Sequence, residues 1–433
     1  MDNTKAYQCL SVIDPLPELI QRTNKYLLDL RLAKWITQKQ YEQLSIKPNE
    51  VELAHLYYLP KAHKPGTRLR STISGLRHPT VKISKYLDNL LRPLFDQMAS
   101  NTTVTSGFEL TKKLQEWSTV NIRQDTTICT IDVTNLYTMI PQIEGVLSLR
   151  KILSRFVMKN NYFSYNGQFY HQVRGGAMGS LFTLTISNCY MYFFERQIVN
   201  QIRNSGGLYF RYIDDIFITI NWPGRHLLKQ IERWNHFDEN IKLSANIGPT
   251  VNFLDLQIEN KDGQLLTAVY QKPSYEPYYL PFNSIHPLHT KKNIPFAMIL
   301  RAIRYCSTLQ SFLNEREKLR IGLLLNKYQN KIIDEQFNNV LLKFNVNEPL
   351  TVNNYVRYRQ IVINSPIKEK LLVNYEKSIF VHFTYCSSMK TFPVKFHTLW
   401  DKYFDKSPIN EVIPILGTRN VDNLQRRLIY TRT

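Results

Sequence analysis

The chain has 433 residues, 43% of them hydrophobic, enough to bury substantial cores in roughly two to four structural units, which excludes a disordered tail. Lysine and arginine number 55 against 35 acids, a net charge of +20 spread along the chain, and this points to a polyanionic partner, most simply nucleic acid. The five cysteines are dispersed with no Cys-x-x-Cys pair, the N-terminus lacks the build of a signal peptide, and no run reaches the roughly 18 apolar residues of a membrane span, so a soluble, intracellular protein in a reducing compartment is expected.

In chain order, residues 14–45 carry apolar residues at helical spacing (Leu16, Leu19, Ile20, Tyr26, Leu27, Leu30). The stretch VELAHLYYL at 51–59 reads as strand or short helix and runs into the basic turn PKAHKPGTRLR. A helix is expected over 80–98, strands over 126–133, 168–173, 208–213 and 215–220, and a long helix over about 181–203. This order suggests an α/β core with a mainly antiparallel sheet. From roughly 295 the pattern turns helical, in IPFAMILRAIRYCS, NEREKLRIGLLLNKY and IIDEQFNNVLLKF. That region reads either as a helical bundle with charged outer faces or as a nucleic-acid clamp using Lys291, Lys292, Arg301 and Arg304. His286 and His289 in SIHPLHT have a spacing that suits a metal or an ordinary loop.

Two acids, Asp214 and Asp215, interrupt the apolar stretch YFRYIDDIFITI. A buried carboxylate is costly unless a cation or hydrogen bonds compensate it, so the pair is either part of a metal site or the turn of a hairpin. A third acid, Asp132, ends the apolar strand TICTIDV in the same way. Two such strands side by side can hold two divalent cations about 3.5–4 Å apart, as phosphoryl transfer requires. Mg²⁺ suits such a site because it is held by a few carboxylates plus substrate phosphates, and Mn²⁺ is an alternative. Between the acids, Gly175, Gly176 and Gly179 in RGGAMGS allow close approach of backbone to a ligand, and Ser180 can cap the following helix. Upstream, Lys61, His63, Lys64, Arg68 and Arg70 read as a solvated charged loop or as a turn that embraces a triphosphate.

In order, the turn ending at Arg70, TIDVTNLYT, RGGAMGS, FRYIDDIF and NFLDLQI resemble the fingers and palm motifs of reverse transcriptases. More narrowly, LPKAHKPG, DVTNLYTMIP, GGAMGS, FLD and VYQKPSYEPYYLPFNSIHPLHTKK resemble the Penelope-like retroelements, relatives of telomerase reverse transcriptases. The resemblance covers about residues 50–300. It implies a right-hand α/β (α+β) polymerase: an N-terminal helical region and fingers over 1–125, a palm with a mainly antiparallel sheet over 126–270, and a helical thumb and C-terminal region over 271–433. It makes Asp132, Asp214 and Asp215 the metal-binding catalytic acids. Lys61 and Arg70 would contact the triphosphate, while Gly176, Gly179 and Ser180 line nucleotide and template. Phe253, Leu254 and Asp255 would form a primer grip, Lys64 and Arg68 would join the clamp residues on nucleic acid, and Tyr137 would be a steric gate crowding a ribose 2′-hydroxyl.

The implied activity is RNA-directed DNA synthesis from an RNA template, a DNA primer and deoxynucleoside triphosphates, with two Mg²⁺ ions and a nuclear location. The C-terminal PILGTRNVDNLQRRLIYTRT is similar to the region connecting to a GIY-YIG endonuclease, and the chain then stops, so the expectation is an endonuclease-lacking enzyme that primes on a pre-existing 3′-end. Two alternatives stay open. One is a catalytically inactive or domesticated nucleic-acid-binding protein of the same fold, against which the three intact acids speak. The other is an RNA polymerase with a similar palm, against which Tyr137 speaks.

Overall fold

The computed structural model describes residues 6–60, 67, 69–141, 151–366, 374, 377–386, 389 and 391–419. The chain divides into two units, Met1–Ser274 and Tyr275–Thr433, of mixed α/β structure.

The first unit opens with strand β1 (Tyr7–Ser11) and helices α1 (Leu16–Leu32) and α2 (Gln38–Leu44). Helix α1 buries Leu19, Thr23, Leu27 and Leu30, a stripe at three- and four-residue spacing. Thr37 and Gln40 form a reciprocal capping box that starts α2, so the helical stretch expected over 14–45 is broken in two. Strands β2 (Ala54–Pro60) and β3 (Leu69–Ser74) pair antiparallel, which decides between strand and helix for 51–59. Helices α3 (Val81–Ala99) and α4 (Gly107–Asn121) lead to strand β4 (Thr127–Val133), the single turn α5 (Leu136–Met139) and α6 (Lys151–Lys159). The hairpin β5 (Tyr162–Tyr165) and β6 (Gln168–Gln172) precedes the long helix α7 (Leu181–Asn204). Then come β7 (Leu208–Tyr212), β8 (Asp215–Ile220), α8 (Gly224–Trp234), β9 (Leu243–Gly248) and the meander β10 (Thr250–Phe253), β11 (Leu256–Lys261) and β12 (Gln264–Val269).

Among the described residues of the first unit these strands form three sheets. One has the order β7-β8-β4-β9 and is antiparallel throughout. A second runs β1-β6-β5-β2-β3, with the β2–β5 pair parallel, and the third is the β10-β11-β12 meander. In the four-stranded sheet, Cys129 and Ile131 of β4 lie opposite Ile218 and Ile216 of β8, and all four join one core with Ile83 and Leu87 of α3, Phe182, Ile186 and Ile198 of α7, and Trp234 of α8. Each fully buried aliphatic side chain in that face contributes about 1.5–3 kcal/mol. Because side chains alternate along a strand, Ile128, Thr130 and Asp132 point to the opposite face, together with Asp215, Phe217 and Thr219.

The second unit contains α9 (Leu288–Tyr305), α10 (Leu309–Leu325), α11 (Asn330–Lys343) and α12 (Tyr355–Asn364). Ile299, Ile303, Phe312, Leu319, Leu323, Phe337 and Tyr355 are buried among its side chains, and the Tyr355 hydroxyl donates to the Cys306 carbonyl at 2.8 Å. It also contains a parallel pair, β13 (Ser378–Thr384) and β14 (Ile413–Arg419), joined through α13 (Phe392–Phe404), a strand pairing that the helical pattern after 295 does not announce. No helix of the described residues is long and apolar enough to cross a membrane.

Candidate active site

The acids meet where β4 ends and β8 begins. Asp132 and Asp215 are direct partners across the two antiparallel strands, so their Cβ atoms stand about 4.5–5.5 Å apart on one face. Like charges so opposed repel, and a cation between them removes that penalty. Asp214 is in the turn itself: Tyr212 pairs with Asp215, which leaves Ile213 and Asp214 as a two-residue hairpin loop. The turn reading of the acidic pair therefore holds for Asp214, while Asp215 opens the following strand. The Val133 amide donates to the Asp214 carbonyl at 2.9 Å and ties the turn to the end of β4. Ile213 has φ of 57°, a left-handed conformation that a β-branched residue rarely adopts.

Tyr137 lies on α5, five residues after Asp132. Burial, then the nearby charge of Asp214, pushes its phenol up to about 12, while Arg70 and Arg211 pull the other way. The ring is thus a neutral, half-buried group in the field of both Asp214 and Arg70. The glycine turn holds this segment. The Gly176 amide donates to the Tyr137 carbonyl at 2.9 Å. A Cβ on Gly175 would overlap that carbonyl and stand 2.6 Å from the Thr138 Cα, and one on Gly176 would stand 2.5 Å from the Thr183 Oγ1. At Gly179, φ is 117° and a Cβ would lie 3.1 Å from the Ile73 carbonyl of β3. Ser180 caps α7, accepting from the Thr183 amide. The glycines therefore let one turn pack on the Tyr137 backbone, on α7 and on the strand that carries Arg70.

Phe253 is buried, its ring centroid 5.6 Å from that of Phe217, and so on the face of the sheet that carries Asp132 and Asp215. Leu254 and Asp255 form the two-residue turn between β10 and β11, with Leu254 at φ 55°. The turn repeats the pattern of Ile213 and Asp214, an aliphatic residue in left-handed backbone followed by an acid. Lys61, Lys64 and Arg68 lie outside the described residues. Of the four α9 cations, Lys291 donates to the carbonyls of Phe282 (2.8 Å) and Ser284 (2.9 Å), and Lys292 pairs with Glu335 at 2.9 Å. Arg301 and Arg304 are half-buried, and burial holds Arg304 below its ordinary pKa. His286 bonds Ser284 through Nδ1 at 3.3 Å.

Among the described residues, no group of three or more His, Cys, Asp or Glu side chains is gathered closely enough to hold a metal ion by itself. The opposed carboxylates nevertheless offer the hard oxygen donors that suit Mg²⁺, which takes one or two carboxylates and completes its shell with phosphate and water. The arrangement can position a dication, a phosphate chain and a sugar beside one another.

Sequence reasoning missed a buried network behind the acidic turn. Arg211 pairs with Glu195 of α7 at 2.6 Å, and both are fully buried. The signal was available: Arg211 stands in an apolar strand, and Glu195 stands on the apolar stripe of α7 with Met191, Ile198 and Ile202.

A family profile described as the animal helix-turn-helix domain matches residues 278–338, which include α9 and α10 and reach into α11. No curated protein matches the chain. Among solved structures, the telomerase of Candida albicans in complex with a fragment of telomeric RNA is similar over 78% of this chain and 66% of its own, with 10% identity and a TM-score of 0.48. The corresponding Candida tropicalis complex is similar over 67% of this chain and 55% of its own, with 12% identity and a TM-score of 0.42. An RNA polymerase complex inside a double-stranded RNA virus is similar over 76% of this chain and 31% of its own, at 11% identity and a TM-score of 0.39. The chain thus spans less than two thirds of the length of the structures it resembles.

Proposed function

We propose that the protein is an RNA-directed DNA polymerase of the Penelope-like retroelement type, extending a primer 3′-hydroxyl along an RNA template. The observation that carries this reading is the cross-strand partnership of Asp132 and Asp215 with the Asp214 turn beside them. Arg70, Tyr137 and the glycine turn, drawn from separate motifs in the reverse transcriptase order, lie around it. In this reading the four-stranded sheet is the palm, and the helices of the second unit are the thumb. Asp132, Asp214 and Asp215 would hold Mg²⁺, or Mn²⁺ in its place, which would supply electrostatic stabilisation of the charge that develops in phosphoryl transfer. Arg70 contacts the triphosphate, and Tyr137, neutral at physiological pH, closes the space beside the 2′ carbon and so favours deoxynucleotides. Gly176, Gly179 and Ser180 line the nucleotide, and Phe253, Leu254 and Asp255 seat the primer end. The chain's own share of the rate is positioning and electrostatics. The basic surface holds template and primer through phosphates, and a nuclear site of action follows from the same reading.

The test is primer extension on an RNA template with deoxynucleotides and Mg²⁺, comparing the protein with Asp214→Asn. Extension by the first and its loss in the second is expected. Absence of extension by either, with duplex binding intact, would favour the binding-protein alternative.

A further inference from the structure

The buried pair behind the acidic turn uses every donor it has. Arg211 Nε donates to Glu195 Oε2 at 2.6 Å, Nη1 to Asn188 Oδ1 at 2.7 Å and to the Ile213 carbonyl at 2.9 Å. Its Nη2 donates to the Asn188 carbonyl at 3.3 Å and to Glu195 Oε1 at 3.4 Å. That accounts for all five guanidinium N–H groups. The Tyr209 hydroxyl donates to Glu195 Oε2 at 2.8 Å. Arg211 is 0% and Glu195 1% exposed.

Stability alone does not explain such a pair. Taking two charges out of water costs several kcal/mol per ion, and well-packed apolar side chains of similar volume are often as stable or more so. What apolar side chains cannot do is hold a carbonyl. The carbonyl held here belongs to Ile213, whose left-handed backbone is unfavourable for a β-branched residue and which directly precedes Asp214. A turn in an unfavourable conformation relaxes unless its surroundings over-determine it.

We propose that Glu195, Arg211, Asn188 and Tyr209 form a positioning network that clamps Ile213 in its strained conformation and so sets the Asp214 carboxylate beside Asp132. The catalytic consequence rests on the polymerase reading above; the clamp itself does not. Asn188 and Glu195 are two turns apart on one face of α7, and α7 is capped by Ser180, at the end of the glycine turn that grips Tyr137. One helix therefore references both the acidic turn and the aromatic group. Because the network acts through Asp214 and touches no substrate, it should move turnover and leave nucleotide affinity alone.

The test replaces the pair by apolar residues, Glu195→Leu with Arg211→Met, which keeps volume and removes both charges together. Hydrogen exchange at the Val133 amide reports on the turn without any catalysis, since that amide is held by the Asp214 carbonyl. The expected result is a folded variant in which Val133 exchanges roughly tenfold faster or more while amides of α8 are unchanged. Extension kcat should fall about 100-fold, with the KM for deoxynucleotide little changed. Adding Ile213→Asn, a residue that enters the left-handed region at little cost, should recover part of both. A folded variant with unaltered Val133 exchange and unaltered kcat overturns the proposal. If the parent protein extends no primer, the polymerase reading fails while Val133 exchange still decides the clamp. Should the double variant fail to fold, Tyr209→Phe with Asn188→Ala loosens the same network with the ion pair kept, and unchanged Val133 exchange there overturns the proposal equally.

Discussion

Gly175→Ala isolates the contact between the glycine turn and the segment that carries Tyr137. Gly175 has φ of 67°, so any side chain pays a left-handed backbone cost of about 1 kcal/mol or slightly more. Gly167, in the turn between β5 and β6, has a similar φ of 76° but nothing within 4 Å of its would-be Cβ, so Gly167→Ala measures that backbone cost alone. At Gly175 the added methyl would overlap the Tyr137 carbonyl and approach the Thr138 Cα to 2.6 Å. Carbon atoms pack at about 3.5–4.0 Å, so one strand of backbone must retreat by roughly 1 Å. Overpacking of this kind costs a further ~1–3 kcal/mol. Denaturant unfolding should therefore place Gly175→Ala about 1–3 kcal/mol below Gly167→Ala in stability. A retreat of the Tyr137 backbone also breaks the 2.9 Å bond from the Gly176 amide, so extension should fall about 100-fold in Gly175→Ala and hold in Gly167→Ala. Equal stability of the two variants would refute the steric reasoning, whatever the activity.

Asp132→Asn should abolish detectable extension yet raise stability by ~0.2–1 kcal/mol, because it removes one of two like charges opposed across β4 and β8; a clear loss of stability would count against that cross-strand repulsion. Tyr137→Ala should let ribonucleotides compete, lowering the deoxynucleotide preference about tenfold or more, and an unchanged ratio would remove the gate assignment. His78 is buried and held neutral, its pKa lowered to about 4 by burial. The unfolded chain takes up that proton near pH 6.5 and the folded chain does not until near pH 4, so stability contributed by neutral His78 is full above about 6.5 and is lost as pH falls toward 4, by up to ~3 kcal/mol. Melting curves of the parent and His78→Asn at pH 7 and pH 4.5 check this: the parent should lose more, and parallel losses would contradict the assignment.

Local pattern made part of the fold legible. Strands β4, β7 and β8 and helices α3 and α7 follow the expected ranges within a residue or two, because alternation and helical spacing are written in consecutive residues. The break between α1 and α2 was less legible, since the capping box at Thr37 lies inside a continuous helical spacing. Strand β3 was masked by Arg70, which stands exposed on the hairpin, and β5, β9 and the meander were too short or too polar to signal themselves.

The sequence by itself determined that acids end two apolar strands, that a glycine turn stands between them, and that the chain carries a large positive charge, because these are properties of residue type and order. Only the tertiary structure decided which residues meet. It set Asp132 opposite Asp215, put Asp214 into a strained turn, laid Gly175 and Gly176 against Tyr137, and joined Arg211 to Glu195 sixteen residues away. The physical reason is strand register and helix packing. A register slip of one residue between β4 and β8 would turn one acid to the other face and part the pair, and a buried guanidinium finds its acceptors only where a helix from elsewhere in the chain is packed over its strand.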